Sequence, residues 1–206
     1  FLNLFGPGVP EPRDLGGHET EVAGTAVHDG VASGVVEIGE RHCQMRPDSP
    51  SRTRHQAKCS AADEWPDGFR HVAFGDLQAL VDAIDPTVSA ILIETVQGEG
   101  GVIPASREYL QGIRQLCDER GMLMMVDEVQ TGFARTGKWF GFQHADVVPD
   151  VVTMAKALGN GFPVGACWAK REVAAVFQPG DHGSTYSGTA IAGAAITAVI
   201  GEMRRI

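Results

Sequence analysis

Residues 122–130 of the chain read MLMMVDEVQ, in which five apolar residues are followed by two carboxylates, a valine and a glutamine. A run of this length and composition predicts a strand that is buried on both faces, as in a parallel sheet. Asp127 closes the strand, and ligands of such sheets bind at the carboxyl ends of the strands. A carboxylate in that position needs a positive partner or several hydrogen-bond donors. A salt bridge and a helix N-cap are the structural alternatives to a ligand contact.

A second apolar run, residues 147–154, leads to Lys156 in the sequence TMAKALG of residues 153–159. It predicts another buried strand, so we expect Lys156 and Asp127 to lie at the same edge of one sheet. A lysine that forms a Schiff base and an aspartate that pairs with a pyridinium nitrogen are the two groups that pyridoxal phosphate requires. We expect partial burial to lower the pKa of Lys156 and to free its amine for attack on an aldehyde. The alternative is an ordinary surface lysine on a loop.

The periodicity of the chain changes near residue 66. Residues 1–65 are irregular and contain one weak strand candidate, residues 34–38, which fits either a loop-rich segment or a shifted reading frame. In residues 66–206 helices and strands alternate, which predicts an α/β domain with a mostly parallel sheet and flanking helices. The predicted helices cover residues 76–84, 106–120 and 190–203, and the predicted strands cover residues 88–93, 122–126, 151–154 and 164–169.

The composition argues against several classes of protein. The 206 residues are 43% hydrophobic and 21% charged, which suits a globular domain with a core. A net charge of −9 argues against nucleic-acid and anionic-membrane partners, and the sequence contains no apolar run of the roughly 20 residues that a membrane helix needs. The four cysteines are far apart and form no CxxC pair, so we expect a reducing cytoplasm and neither a disulfide framework nor a metal site.

Two glycine-containing loops supply further candidate residues. Residues 94–101, ETVQGEGG, follow a predicted strand, and their glycines permit tight turns near a pocket. Residues 182–188, HGSTYSG, offer backbone amides and hydroxyl groups that suit a phosphate or a carboxylate. An ordinary surface turn is the structural alternative for each loop. The candidate residues in the two loops are Glu94, Glu99, Ser184 and Thr185.

Together these stretches resemble the class III aminotransferases of fold type I. The resemblance rests on ETVQGEGG at 94–101, DEVQTGFARTG at 127–137, TMAKALG at 153–159 and GDHGST at 180–185. The order and spacing of these motifs agree with the family over residues 66–206, about two thirds of the chain. The resemblance implies an incomplete large domain of fold type I, which binds pyridoxal 5'-phosphate, and leaves residues 1–65 unassigned.

The resemblance also implies roles for the residues around the cofactor ring. Lys156 forms the Schiff base and moves a proton between the substrate carbon and the cofactor. Asp127 pairs with the pyridine nitrogen, Val129 lies on the ring face and Gln130 lies near the ring oxygen. Glu128 belongs to the same cofactor-binding segment, but we expect its side chain to point away from the cofactor and to be structural.

Further implied contacts lie around the phosphate and the substrate. Thr185 contacts the cofactor phosphate across a dimer interface, Glu94 lies beside the cofactor, and Ser184 lies near the substrate. Glu99 acts as a switch residue whose arginine partner belongs to a C-terminal domain. The phosphate-loop, ring-stacking and carboxylate-binding segments of the family have no recognisable counterpart in residues 1–65.

The activity implied by the resemblance is transamination of an N-acylated or ω-amino acid, with 2-oxoglutarate as the amino acceptor. The ligands are then small amino and oxo acids, and the full-length protein is a homodimer. Two alternatives stay open. One is a class III aminomutase, and the other is a truncated fragment that binds the cofactor poorly or not at all.

Overall fold

A seven-stranded sheet forms the centre of the protein. We describe it from a computed structural model that covers residues 20–21, 34–38, 69–178, 181 and 187–205. Strands β5 and β6 pair only with each other, and the other described strands form the large sheet. In chain order the strands are β1 (Thr20–Glu21), β2 (Gly34–Ile38), β3 (Phe69–Val72), β4 (Val88–Glu94), β5 (Val96–Gln97), β6 (Ile103–Pro104), β7 (Leu123–Asp127), β8 (Val151–Met154) and β9 (Ala166–Lys170).

The order of the strands across the large sheet is β1-β9-β8-β7-β4-β2-β3. Strands β3, β2, β4, β7 and β8 run parallel, whereas β9 is antiparallel to β8 and β1 is antiparallel to β9. This arrangement confirms the predicted mostly parallel α/β sheet. Strand β2 lies in the part of the sequence with the weakest periodicity, yet it occupies an interior position between β3 and β4.

The predicted helices are present in the described residues, and their first turns show why the bounds differ slightly. The Ser106 side chain accepts a hydrogen bond from the Tyr109 backbone N–H (3.1 Å), so Ser106 caps the helix from outside it. Gly121 ends the same helix with a left-handed φ of 66°. The helices are α1 (Leu77–Ala83), α2 (Arg107–Arg120), α3 (Arg171–Ala174) and α4 (Ala190–Met203).

Strand β9 differs from the predicted strand at residues 164–169, because it begins at Ala166 and extends to Lys170. Pro163 has no N–H to donate to a sheet, and Gly165 has no side chain to pack, so the residues before Ala166 are poor strand formers. They form a loop that connects β9 to the turn after β8.

One hydrophobic core holds β4 and β7 in place. Ile91 and Ile93 of β4 and Met124 and Val126 of β7 are at most 1% exposed, and Ile113 of α2 is fully buried against them. Burial of each such side chain stabilises the fold by about 1.5–3 kcal/mol. Because these side chains anchor β4 and β7 to the core, the positions of the carboxyl ends of both strands are also fixed.

A buried ion cluster lies at the amino end of β8. Asp150 accepts hydrogen bonds from Arg114 Nη1 (2.8 Å), Lys170 Nζ (2.6 Å) and the Met124 backbone N–H (2.7 Å). Burial raises the pKa of Asp150, but the hydrogen bonds from Lys170, Met124 and Arg114 outweigh that effect and hold the pKa below its usual range. The cluster therefore ties α2, β7, β8 and β9 together at the edge opposite to the predicted site.

Candidate active site

The carboxyl ends of β4, β7 and β8 bring the predicted residues to one edge of the sheet. Asp127 is in register with Glu94 on one side and with Thr153 on the other. Lys156 follows Thr153 by three residues. Neighbouring strands are about 4.8 Å apart, so Asp127 lies between the ends of β4 and β8 at this edge of the sheet.

Lys156 begins a short 3-10 helix, Lys156–Leu158, one residue beyond β8. Its φ is 41°, in the left-handed region that is costly for a residue with a Cβ atom. The turn is held by a hydrogen bond from the Leu158 N–H to the Ala155 carbonyl (2.9 Å), by the burial of Leu158 and by contact with α4. Strain of this kind persists where the surroundings enforce it, which is common at functional sites.

The Lys156 side chain is exposed, which differs from the expected partial burial. The other site residues of this edge, Glu94, Asp127 and Gln130, are half-buried, so the exposure belongs to the lysine side chain beyond the end of β8. The amine is consequently accessible to a ligand that arrives from solution.

Gly159 allows the chain to fold tightly after Lys156. A Cβ atom at this position would clash with the Phe162 carbonyl oxygen and would lie 2.7 Å from Cγ1 of Val164. The Phe162 N–H also donates to the Gly159 carbonyl (3.0 Å). The small residue is therefore required by the close approach of backbone to backbone.

Asp127 is half-buried, and its carboxylate is partly committed to the chain. Oδ1 accepts a hydrogen bond from the Val129 N–H (2.8 Å), which forms a tight turn directly after β7. The other carboxylate oxygen has no hydrogen-bond partner among the described residues. Val129 and Gln130 are also half-buried, and the Gln130 amide packs so closely on Gly98 that a Cβ atom there would clash with it.

The loop after β4 carries the two other predicted glutamates. The Glu94 carboxylate accepts a hydrogen bond from the Gly98 N–H (3.0 Å), so Glu94 helps to shape the loop. Glu99 is exposed in the connection between β5 and β6. The predicted residues Ser184 and Thr185 lie outside the described residues.

Glu128 is turned into the protein and is 1% exposed. Oε2 accepts hydrogen bonds from the Thr131 hydroxyl and the Gly141 N–H (2.9 Å), and Oε1 accepts one from the Phe142 N–H (2.9 Å). Burial raises the pKa of Glu128, and the three hydrogen bonds oppose that effect. Both oxygens of this carboxylate are thus occupied by the chain itself.

The partners of Glu128 carry no signal in the sequence that links them to it. Gly141 and Phe142 follow Glu128 by 13 and 14 residues, and no short motif spans that distance. A glycine between two phenylalanines is the one local feature that marks this turn.

The edge can therefore present an accessible amine, a carboxylate oxygen and a carboxamide to one small ligand. Within the described parts of the chain, no group of three or more His, Cys, Asp or Glu side chains is arranged to hold a metal ion. None of the described helices combines the length and the apolarity that crossing a membrane requires.

Comparison with known proteins gives relatives of one kind. The sequence model of the family described as aminotransferase class-III matches residues 26–205. The chain is 54% identical over 140 residues to the acetylornithine aminotransferase of Myxococcus xanthus. That alignment covers 68% of this chain and 35% of the relative, so the chain spans about a third of the length of the curated relatives that it matches.

Solved structures agree with the sequence relatives. Plasmodium falciparum ornithine delta-aminotransferase aligns with a TM-score of 0.69 at 33% identity, over 85% of this chain and 40% of that one. The ornithine aminotransferase of Toxoplasma gondii, solved with partial occupancy of PLP at its active site, aligns with a TM-score of 0.71 at 29% identity, over 84% of this chain and 41% of that one. These likenesses confirm the expected fold type I architecture. The chain belongs to the class III aminotransferase family.

Proposed function

We propose that this chain is part of the large domain of a pyridoxal-phosphate-dependent aminotransferase, and that the edge with Asp127 and Lys156 binds the cofactor. The observation that carries the proposal is the register of β4, β7 and β8. It supports a site in which the carboxylate and the amine approach one ligand from adjacent strands. The left-handed backbone of Lys156 adds support, because such strain is common where a side chain must be aimed.

The residues at this edge fit the chemistry of the cofactor. The Asp127 carboxylate oxygen that no described residue contacts suits the N–H of a protonated pyridine ring. The exposed Lys156 amine suits an aldehyde. Gln130 carries an amide group that can donate a hydrogen bond to a phenolic oxygen, and Val129 offers an apolar side chain to a ring face.

When bound, pyridoxal phosphate supplies an aldehyde that takes up amino groups and a ring that accepts electrons. Asp127 holds the proton on the ring nitrogen, because a neighbouring carboxylate favours the charged form of a base. Lys156 accepts and returns a proton at Nζ as general base and general acid. Gln130 would hold the ring by a hydrogen bond to its hydroxyl oxygen, and Glu94 supports the loop against which Gln130 packs.

The proposed substrate class is based on the names of the relatives. The curated relatives are named acetylornithine aminotransferases, and both solved structures described above are ornithine aminotransferases. These names support an N-acylated or ω-amino acid as amino donor and 2-oxoglutarate as acceptor. Glu99 is exposed and is therefore accessible to the arginine partner of its proposed switch role. We propose Ser184 as a substrate contact and Thr185 as a contact to the cofactor phosphate across the interface of a full-length homodimer. Two described cysteines are free thiols, which supports a reducing cytoplasm.

A second candidate is a chain that has the fold but lacks the activity. The exposure of Lys156 favours it. Water in contact with the exposed Lys156 amine would weaken the electrostatic interactions that the amine makes.

Reduction with borohydride tests the proposal. The purified chain is mixed with pyridoxal phosphate, reduced and digested, and the labelled lysines are identified by mass spectrometry. We expect the label at Lys156, its loss in Lys156→Ala, and no change in Lys138→Ala, since Lys138 is an exposed lysine of a nearby loop. A label spread over the surface lysines would overturn cofactor binding by this chain. Turnover of N-acetylornithine with 2-oxoglutarate then separates the enzyme from the inactive fragment.

A further inference from the structure

We propose that Glu128 is a positioning residue that fixes the turn Asp127–Gln130 and, through it, the direction in which the Asp127 carboxylate points. The inference rests on the proposed function only for the identity of the ligand that Asp127 meets. Glu128 contacts no ligand in this proposal. Its side chain acts from the opposite side of the strand end.

The first support is the number of hydrogen bonds that converge on this residue. Besides the three that reach its carboxylate, the Glu128 N–H donates to the Thr153 carbonyl (2.9 Å), and the Gly132 N–H donates to the Glu128 carbonyl (2.9 Å). Every polar group of the residue is therefore engaged. The bond to Thr153 extends the pairing of β7 with β8 just before the chain reaches Lys156.

The second support is the packing around Gly141. A Cβ atom at this glycine would clash with Oγ1 of Thr95 and would lie 3.2 Å from Oε1 of Glu128. Thr95 directly follows Glu94, and Glu128 directly follows Asp127. The Gly141 turn is thus wedged between the residues that follow the ends of β4 and β7, so it contacts the direct neighbours in sequence of both site carboxylates, Glu94 and Asp127.

The third support is the cost of leaving these groups unpaired. A carboxylate that is 1% exposed is stable only while its donors remain in place. The Gly141 and Phe142 amides depend on it in turn, since both bonds are buried. The chain cannot move the turn after β7 without breaking at least one of these contacts.

Amide hydrogen exchange tests the inference without any cofactor. The reporter is the Val129 N–H, because it bonds to Asp127 and makes no contact with Glu128 through its own hydrogen. In Glu128→Gln the amide group keeps the shape, but its NH2 faces a backbone N–H of Gly141 or Phe142, so one bond to a charged group is lost. We expect exchange at Val129 to become faster by about tenfold or more, which matches the loss of one such bond.

Two controls separate positioning from general loss of stability. The Met124 N–H, held by Asp150 at the opposite edge, is expected to keep its wild-type exchange rate. Glu119→Gln makes the same chemical change on the exposed face of α2 and is expected to leave Val129 unchanged. Faster exchange of Met124 and Val129 by the same factor in Glu128→Gln would mean a merely structural role, and unchanged exchange at Val129 would also overturn the proposal.

A second variant guards against failure of the first to fold. Gly141→Ala reaches the same turn from the Thr95 side, and it is expected to speed exchange at Val129 as well. Adding Thr95→Ala removes the hydroxyl oxygen that the new methyl group meets and is expected to restore part of the protection. If Thr95→Ala restores no protection at Val129, the proposed packing of Gly141 against Thr95 is wrong.

The affinity of the chain for pyridoxal phosphate is measured in a separate experiment. We expect Glu128→Gln to bind pyridoxal phosphate about tenfold more weakly than the wild type, because the Asp127 carboxylate is no longer held toward the ring nitrogen. If Glu128→Gln binds as tightly as the wild type while Val129 exchange rises, positioning toward the ligand is refuted. If the wild-type chain binds no pyridoxal phosphate, the proposed function fails for this chain, and the exchange at Val129 still decides whether Glu128 fixes the turn.

Discussion

Replacing Asp150 with asparagine removes the negative charge from a cluster that joins four elements of the fold. The side chain is 9% exposed, and its two cationic partners, Arg114 and Lys170, are 15% and 18% exposed. Asparagine keeps the size and one acceptor oxygen of the aspartate. Its amide nitrogen, however, must face a cation or the Met124 N–H, and neither of them accepts a hydrogen bond.

The expected loss of stability is large for a single isosteric change. Breaking a buried ion pair by removing one partner costs about 3–5 kcal/mol, because the other charge is left buried without compensation. Here Arg114 also pairs with Asp118 at 2.7 Å, which offsets part of the loss. We therefore expect Asp150→Asn to lower the free energy of unfolding by about 3 kcal/mol near pH 7.

The effect must depend on pH with a definite sign. The pKa of Asp150 is held below its ordinary value of 3.8 in the folded chain. Its contribution to stability is therefore present above pH 3.8 and is lost as the pH falls through the lower, folded pKa. The difference between wild type and Asp150→Asn is expected to narrow below about pH 4.

Urea unfolding followed by circular dichroism, at several pH values between 7 and 3, measures both quantities. The matched control is Asp118→Asn, since Asp118 pairs with the same arginine but is 65% exposed, and it is expected to cost less than about 1 kcal/mol. Equal losses in the two variants at pH 7 would refute the buried-cluster reasoning. A difference that stays constant down to pH 3 would refute the assignment of the charge to Asp150.

Gly159→Ala is expected to reduce borohydride labelling of Lys156 several-fold, because its methyl group clashes with the Phe162 carbonyl. Gly165→Ala serves as the control, since the nearest neighbour of its methyl group would be 3.4 Å away, and equal labelling of Lys156 in both variants would contradict the tight turn. Cys117 is expected to resist alkylation at pH 8 until urea unfolds the chain, since burial raises the pKa of its thiol to about 12. Mass spectrometry of the peptide that contains Cys117 measures the labelling, and rapid labelling of the native chain would disprove the expectation. Leu80→Ala is expected to cost about 2–5 kcal/mol in urea unfolding, because Leu80 is 0% exposed, whereas a loss below about 1 kcal/mol would mean that the site collapses around the cavity.

Local patterns in the sequence predicted most of the helices and strands. Strand Val151–Met154 and helix Ala190–Met203 have the predicted bounds, because a continuous apolar run and a run of small helix-forming residues end where the elements end. Helices α1 and α2 each begin one residue later than predicted, since Asp76 and Ser106 cap them from outside. In contrast, no periodicity marks the two-residue strand at Thr20, which pairs with β9 and contacts α3.

The candidate site likewise has features that the sequence predicted and features that it did not. Motifs of a few residues were enough to nominate Asp127 and Lys156 at one sheet edge. The left-handed φ of Lys156 depends in part on contact with α4, and two of the three donors to the Glu128 carboxylate lie 13 and 14 residues away. Local propensity predicts neither feature. Roles of this kind follow from packing and are found only in three dimensions.

The interior position of β2 sets the order in which this sheet can assemble. Its neighbours β3 and β4 are synthesised after it, and pairing with them closes loops of roughly 30 to 50 residues. Until β4 has emerged, Gly34–Ile38 has no complete pairing site, so the growing chain must keep an early strand unpaired while later ones form. A protein that lost this segment would have two interrupted edges, on β3 and β4, and exposed edges of that kind recruit other chains. Strand β2, which lies in the least regular part of the sequence, thus completes the pairing of β3 and β4 and protects their edges from other chains.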